Sequence, residues 1–171
     1  MALFNFHFDR PGPGVSPDAP RKKGPARFFE MLGRDFVSFY LAGMLALASA
    51  MPFVLGVWFA VDTHALVPLL LAGVLGGMIA APQLCGLLDT ILRSLRDEPG
   101  FWWTTYRRAW KRNAKASLLP GATGGLLLAM QIFTVFHYDI SVGVVPGALL
   151  AVGLFLLLGL AEFLLAQVAL L

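Results

Sequence analysis

A chain of 171 residues in which 58% are hydrophobic and 13% charged, with a mean hydropathy of +0.75, has too much apolar side chain for an ordinary soluble domain, where charged residues approach a quarter. Cys85 is the single cysteine, which excludes an intramolecular disulfide and a thiolate metal cluster within one chain. Thirteen basic residues against ten acidic leave a formal net charge of +3, so the basic surplus is small overall and its meaning depends on where it is placed.

The opening MALFNFHFDRPGPG lacks the basic start and continuous apolar stretch of a secretory signal, so the first crossing helix is expected to be retained. Residues 1–26 contain prolines at positions 11, 13, 17, 20 and 25, which stop helix and ladder alike and predict an extended arm in which His7 is solvated. From Arg27, the residues Phe28, Phe29, Met31, Leu32, Phe36 and Phe39 recur at helical spacing and predict a lead-in helix near the membrane surface.

Apolar runs of about 20 residues cross a hydrocarbon core as helix. Such runs lie at about 36–60, 66–88, 116–136 and 144–171. The links around Asp62, Thr63 and His64 and around His137, Tyr138 and Asp139 are short enough to force antiparallel neighbours. The predicted fold is therefore an all-α polytopic membrane bundle over residues 27–171, with four spans in two antiparallel hairpins and interfacial helices on the cytosolic side.

Six basic residues, Arg10 to Arg34, precede the first span, and the other seven, Arg93 to Lys115, lie between the second and third; the two hairpin tips have none. Short translocated loops are depleted of Lys and Arg. That partition predicts tips facing outward and the N-terminus, central loop and C-terminus facing the cytosol, in a bacterial cytoplasmic (inner) membrane.

On a helical wheel of residues 101–115, Trp102, Trp103, Tyr106, Ala109 and Trp110 share one arc, and Arg107, Arg108, Lys111, Arg112 and Lys115 share the opposite one. An interfacial helix follows, its aromatic face in the headgroup boundary and its basic face on anionic headgroups or an acidic partner surface. The predicted lipid or partner contacts are Trp102, Trp103, Arg107, Arg108, Trp110, Lys111 and Arg112. Because the aromatics point away from the cations, single-stranded nucleic acid is a poor fit.

Ionisable groups inside spans are the first place to seek chemistry. Asp89 and Glu162 are the candidates; with Gln83 they form a conceivable polar pathway, although Arg93 lies one turn from Asp89 and can pair with it. His64 and His137 occupy the two tips beside Asp62 and Asp139 without a ligand motif, and read as exposed polar residues; neither metal nor cofactor is expected. No zinc-protease helix, nucleophile elbow or phosphate loop is present, so no catalytic residue is assigned and no enzyme is expected. Gly73 and Gly77, with Ala81 one turn on, and Gly121 with Gly125 place narrow stripes on two spans and predict close helix packing. Pro52 and Pro82 are expected to kink their spans, whereas Pro120 falls in a first turn, where proline is tolerated. Gln83, Gln131 and Thr134 can hydrogen-bond between helices as readily as line a path.

The segments FDRPGPGVSPDAPRKKGPARFFEMLGRDF and FWWTTYRRAWKRNAKASLLPG, with Asp9, Arg10, Pro11 and Gly12 the more specific part, resemble the YesL-like family of small bacterial membrane proteins. The resemblance implies no assigned activity or catalytic residue, and an association with carbohydrate uptake and polysaccharide use. It also implies a further hairpin after the fourth span. A shift of 78 residues superposes Arg34 on Arg112, Asp35 on Asn113, Leu41 on Leu119 and Gly43 on Gly121, a weak internal repeat whose second copy ends short. The expected function is a non-enzymatic accessory or scaffold membrane protein, with a transporter subunit or a second copy as protein partner; the alternative is a small oligomeric transporter or channel built around Gln83, Asp89 and Glu162.

Overall fold

A computed structural model describes residues 22–98, 101–137 and 144–170. Most of the predicted arm lies outside the described residues, as do Tyr138 and Asp139. Four helices follow one another: α1 (Pro25–Asp62), α2 (Leu66–Leu95), α3 (Trp102–His137) and α4 (Val144–Leu170). All four are long and apolar enough to cross a membrane, which bears out the all-α bundle and fits a multi-pass membrane protein.

The two predicted surface helices are not separate elements. Residues 27–35 continue into the first span as a helix of 38 residues, and residues 101–115 continue into the third as one of 36. At 1.5 Å per residue these are roughly 57 and 54 Å long against a hydrocarbon core of about 30 Å, so several turns of each project beyond it. The physical reason is local: neither Arg34–Val37 nor Ala114–Ser117 contains a proline or a glycine to interrupt the helix. Pro120 accordingly lies deep inside α3 instead of in a first turn, as Pro52 and Pro82 lie inside α1 and α2. Each leaves the carbonyl one turn earlier without its helical partner.

Helices α1 and α2 end in the same way. After α1, the Ala65 amide donates to the Ala60 carbonyl at 3.0 Å and the His64 amide to the Val61 carbonyl at 3.3 Å. After α2, the Glu98 amide donates to Arg93 at 3.0 Å and the Asp97 amide to Ser94 at 3.1 Å. These are Schellman caps, whose left-handed position is usually glycine. Here His64 (φ 53°) and Asp97 (φ 57°) occupy it, two of the side chains that tolerate that conformation best.

Helix α2 is central, touching α1, α3 and α4, while α1 and α4 make no contact. Its closest neighbour is α3. A Cβ placed on Gly77 would lie 2.1 Å from the Gly121 carbonyl oxygen, and one on Gly125 would lie 2.3 Å from that of Gly73. Two backbones therefore touch along Gly73, Gly77, Gly121 and Gly125, the close approach that drives association where lipid offers no hydrophobic contrast. On its other side α2 meets α1, where a Cβ on Gly76 would sit 2.6 Å from the Phe53 Cβ. Phe53, Val57, Ala60, Leu69 and Ala129 form the buried apolar cluster joining α1, α2 and α3. Gly43, the counterpart of Gly121 in the 78-residue repeat, faces open space, so the two copies are not used alike.

Helix α4 is held differently. It carries the Gln131 side chain in a notch at Gly153, with the Gln131 amide donating to the Leu149 carbonyl at 3.3 Å. Toward its end the Gln167 amide donates to Asn113 Oδ1 at 3.0 Å, and Leu164 and Val168 cover Cys85. Pairing 131 with 149 and 113 with 167 makes α3 and α4 antiparallel. Between α1 and α4 lies an apolar crevice of about 270 Å³, walled by Ala50, Phe53, Leu157 and Leu160 and floored by the glycine seam.

Gly77→Ala forces two backbones apart and is expected to lower stability by about 1–3 kcal/mol. Gly147→Ala, at a glycine facing open space, should change it by less than about 0.5 kcal/mol. Reversible unfolding in bicelles measures both.

Candidate functional site

All ionic contacts between described residues cluster at one end of the bundle, where the first turns of α1 and α3 project beside the end of α2. Arg34 organises the α1–α2 side. Its Nη1 donates to Asp97 Oδ1 at 2.9 Å, its Nε and Nη2 to Asp35 Oδ2 at 3.1 and 2.9 Å, and its Nη2 also to the Ser94 carbonyl at 3.0 Å. Ser94 Oγ donates to the same Asp35 carboxylate. Burial alone would lower the Arg34 pKa, but the bonds to Asp35 and Asp97 outweigh it and hold the guanidinium above its ordinary value. Arg27 adds a donor to the Leu95 carbonyl at 3.0 Å and lies 3.6 Å from Asp97. Two arginines of α1 thus donate to the last two carbonyls of α2, at the negative end of its dipole.

This cluster was not singled out in the sequence. Its signal was present in the dipeptides Arg34-Asp35 and Arg96-Asp97, alternating charges at the two ends of one hairpin that antiparallel folding brings to the same level.

A second group lies between α2 and α3. Arg93 Nε donates to Asp89 at 2.8 Å, the i,i+4 pair read from the sequence, and Arg112 approaches the other Asp89 oxygen at 3.8 Å. Arg93 also reaches Glu98 at 3.2 Å. Asp89 is therefore buried between two cations. Gln83 sits elsewhere on α2, its side-chain oxygen accepting from the Tyr106 hydroxyl, and Glu162 is exposed on the outer side of α4. The three candidate pathway residues do not face a common interior within one chain.

The Tyr106 ring packs against Gly86, where an added Cβ would lie 2.7 Å from it. Burial pushes its hydroxyl pKa up to about 12. Tyr106 and Ala109 are buried, so the aromatic arc predicted to enter the headgroup boundary is largely an internal packing face. The reason is again helix continuity, which aligns residues 101–115 with the span instead of the membrane plane. Of the tryptophans, Trp103 is exposed and stacks on Tyr106 at a centroid distance of 6.4 Å, while Trp102 and Trp110 are half-buried. The Trp102 indole nitrogen is buried without a hydrogen-bond partner among the described residues.

The cationic arc remains outside. Arg107, Arg108, Lys111 and Lys115 are exposed on α3 and make no ion pair or hydrogen bond among the described residues, whereas Arg112 is engaged with Asp89. Chemically this is a surface for phosphate or carboxylate groups.

At the opposite end the link after α1 meets the last residue of α3. The His64 and His137 rings lie edge to face with centroids 4.5 Å apart, and His137 stacks on Phe133 at 3.9 Å. Among the described residues no three His, Cys, Asp or Glu side chains group to hold a metal. Thr134 bonds to its own helix at the Met130 carbonyl, 2.8 Å away, so of the three predicted interhelical polar residues Gln83 and Gln131 cross to a neighbour and Thr134 does not.

Arg34 and Asp97 are 16% and 12% exposed, so their pair is little screened. A double-mutant cycle with Arg34→Ala and Asp97→Ala is expected to give a coupling of about 1–3 kcal/mol. For Tyr106, the neutral form belongs to the fold: its stabilising contribution is complete below the ordinary value near 10 and declines as pH rises towards 12. Ultraviolet titration should show a late-ionising component that Tyr106→Phe removes. Comparisons with protein-family models, with curated proteins and with solved structures found no match.

Proposed function

We propose that the protein is a non-enzymatic accessory or scaffold protein of the bacterial cytoplasmic membrane, with its charged end in the cytosol. Its exposed basic face engages anionic headgroups, and through them or beside them the acidic surface of a membrane partner. The resemblance to the YesL-like family makes a subunit of a carbohydrate importer the partner to test first.

One observation carries this reading: Arg107, Arg108, Lys111 and Lys115 stand exposed on one side of α3 and unpaired among the described residues, while the neighbouring cations Arg34, Arg93 and Arg112 are consumed in structural pairs. Their placement at the end bearing every described basic side chain agrees with retention on the cytosolic side. A small transporter is less well supported, because Asp89 is paired, Gln83 is hydrogen-bonded and Glu162 points away from both.

Cations near an anionic surface contribute about 1 kcal/mol each, or roughly fivefold in binding. Native mass spectrometry from nanodiscs of mixed anionic and zwitterionic lipid should therefore show anionic lipid enriched on the wild type, and the enrichment reduced by roughly tenfold or more in Arg107→Gln/Arg108→Gln/Lys111→Gln. Equal enrichment on both would overturn the assignment of this face.

A further inference from the structure

Where α1, α2 and α3 converge at the charged end, a small cavity of about 40 Å³ lies between them. Seven of its eight lining residues are charged or carry a hydroxyl, and the eighth is Trp102. Unlike the apolar crevice, it is walled by groups whose hydrogen-bonding capacity the chain itself leaves partly unused.

Two donors are unspent. The Trp102 indole N–H is buried and has no acceptor among the described residues. The Ser38 hydroxyl, half-buried on α1, has no partner among them either. Native folds rarely leave a buried donor in that state, because its hydration is lost and nothing replaces it.

Acceptors line the same cavity. All three hydrogen bonds to Asp35, two from Arg34 and one from Ser94, fall on Oδ2, which leaves Oδ1 unused among the described residues. The Thr90 and Thr105 hydroxyls donate to the Gly86 and Phe101 carbonyls at 2.9 and 2.8 Å, so each keeps a lone pair.

Charge narrows what can bind. Asp35 and Glu98 oppose an anion, Arg93 opposes a cation, and all three are already paired within the chain, Asp35 with Arg34 and Glu98 with Arg93. A neutral molecule that both donates and accepts suits both sets of groups. Size narrows it further: roughly 10–15 Å³ of such space admits one water, so the cavity has room for one or a few water molecules and little else.

We propose that this cavity is a water-binding site, in which bound water accepts from the Trp102 indole N–H and donates to Asp35 Oδ1, with the Ser38 hydroxyl as a further partner. No hydrogen bond or ion pair joins α1 directly to α3 among the described residues, so the water supplies the polar link between the two helices that project from the bundle. The inference is independent of the exposed cations of α3.

Water-edited solid-state NMR of the full chain in lipid bilayers, with nitrogen-15 in the tryptophan indoles and backbone amides, tests it. Trp58→Phe, Trp103→Phe and Trp110→Phe each remove one indole signal and so identify that of Trp102 while leaving Trp102 in place. In the wild type the Trp102 indole proton is expected to receive water magnetisation roughly fivefold more strongly than the amide of Ala129, which is fully buried in the apolar cluster. That transfer should not change with pH, whereas base-catalysed proton exchange would rise with it. Ser38→Leu, whose side chain takes up the cavity, should reduce the transfer roughly fivefold, and Ser38→Ala, which leaves the space open, should keep it within about twofold. No transfer to the wild-type indole, or equal transfer in Ser38→Leu, would overturn the proposal. So would an indole signal that shifts when sodium chloride is replaced by a salt of bulky ions, since the cavity would then hold an ion. The wild-type reading decides even if Ser38→Leu fails to accumulate.

Discussion

Backbone contact between α2 and α3 is the constraint on which the rest of the structure depends. At Gly77 and Gly125 even a methyl group would fall within 2.3 Å of a carbonyl oxygen across the seam, so the two helices are as close as two backbones can pack. In lipid this proximity does what apolar burial does in water: it gains dispersion contacts that acyl chains would not match. The seam also orients the remaining faces. With Gly73, Gly77 and Ala81 turned to α3, Gly76 is left facing Phe53 of α1, and Gly86, farther along, admits the ring of Tyr106.

The attachments of the outer helices use different physics. α1 rests on α2 through apolar packing around Phe53 and through Arg27 and Arg34, which reach the exposed carbonyls at the end of α2. α4 is held to α3 by two amides, Gln131 in the Gly153 notch and Gln167 on Asn113. Because α1 and α4 do not touch, the seam is open on one side to an apolar crevice, and the outer surface of α4 is left without a neighbour from this chain. The same α3 that closes the seam presents the exposed cations. Its internal face is occupied by Tyr106, Ala109 and Asn113, which turns Arg107, Arg108 and Lys111 outward.

Much of this was legible in the sequence. Four apolar runs, two short links and the glycine spacings of α2 and α3 report span number, hairpin topology and packing faces directly, because each reflects a local requirement of length or side-chain size. Residues 27–35 and 101–115 were misjudged because amphipathic periodicity is the same for a helix lying on a membrane and for one projecting from it. The wheel separated Tyr106 and Ala109 from the cations correctly, yet could not tell a lipid surface from α2 as the thing they face. The site was less legible. Arg34, Asp35, Ser94 and Asp97 come from separate segments, and their convergence depends on the level at which α1 passes the end of α2 and on the left-handed cap at Asp97. Likewise Asp89 and Glu162, both acidic and both in apolar surroundings, looked alike in sequence; their different angular positions leave one between two arginines and the other on the outer surface.

The exposed cations, the outer face of α4 and the closed ionic cluster are consequences of one arrangement in which α2 and α3 touch through glycine. Solid-state NMR of the protein in lipid bilayers, with carbon-13 at glycine Cα, measures that contact in place. A strong through-space cross-peak between the Cα atoms of Gly77 and Gly125 is predicted, since a Cβ on Gly77 would lie 2.9 Å from the Gly125 Cα. Resolved signals for both glycines with no cross-peak between them would contradict the account.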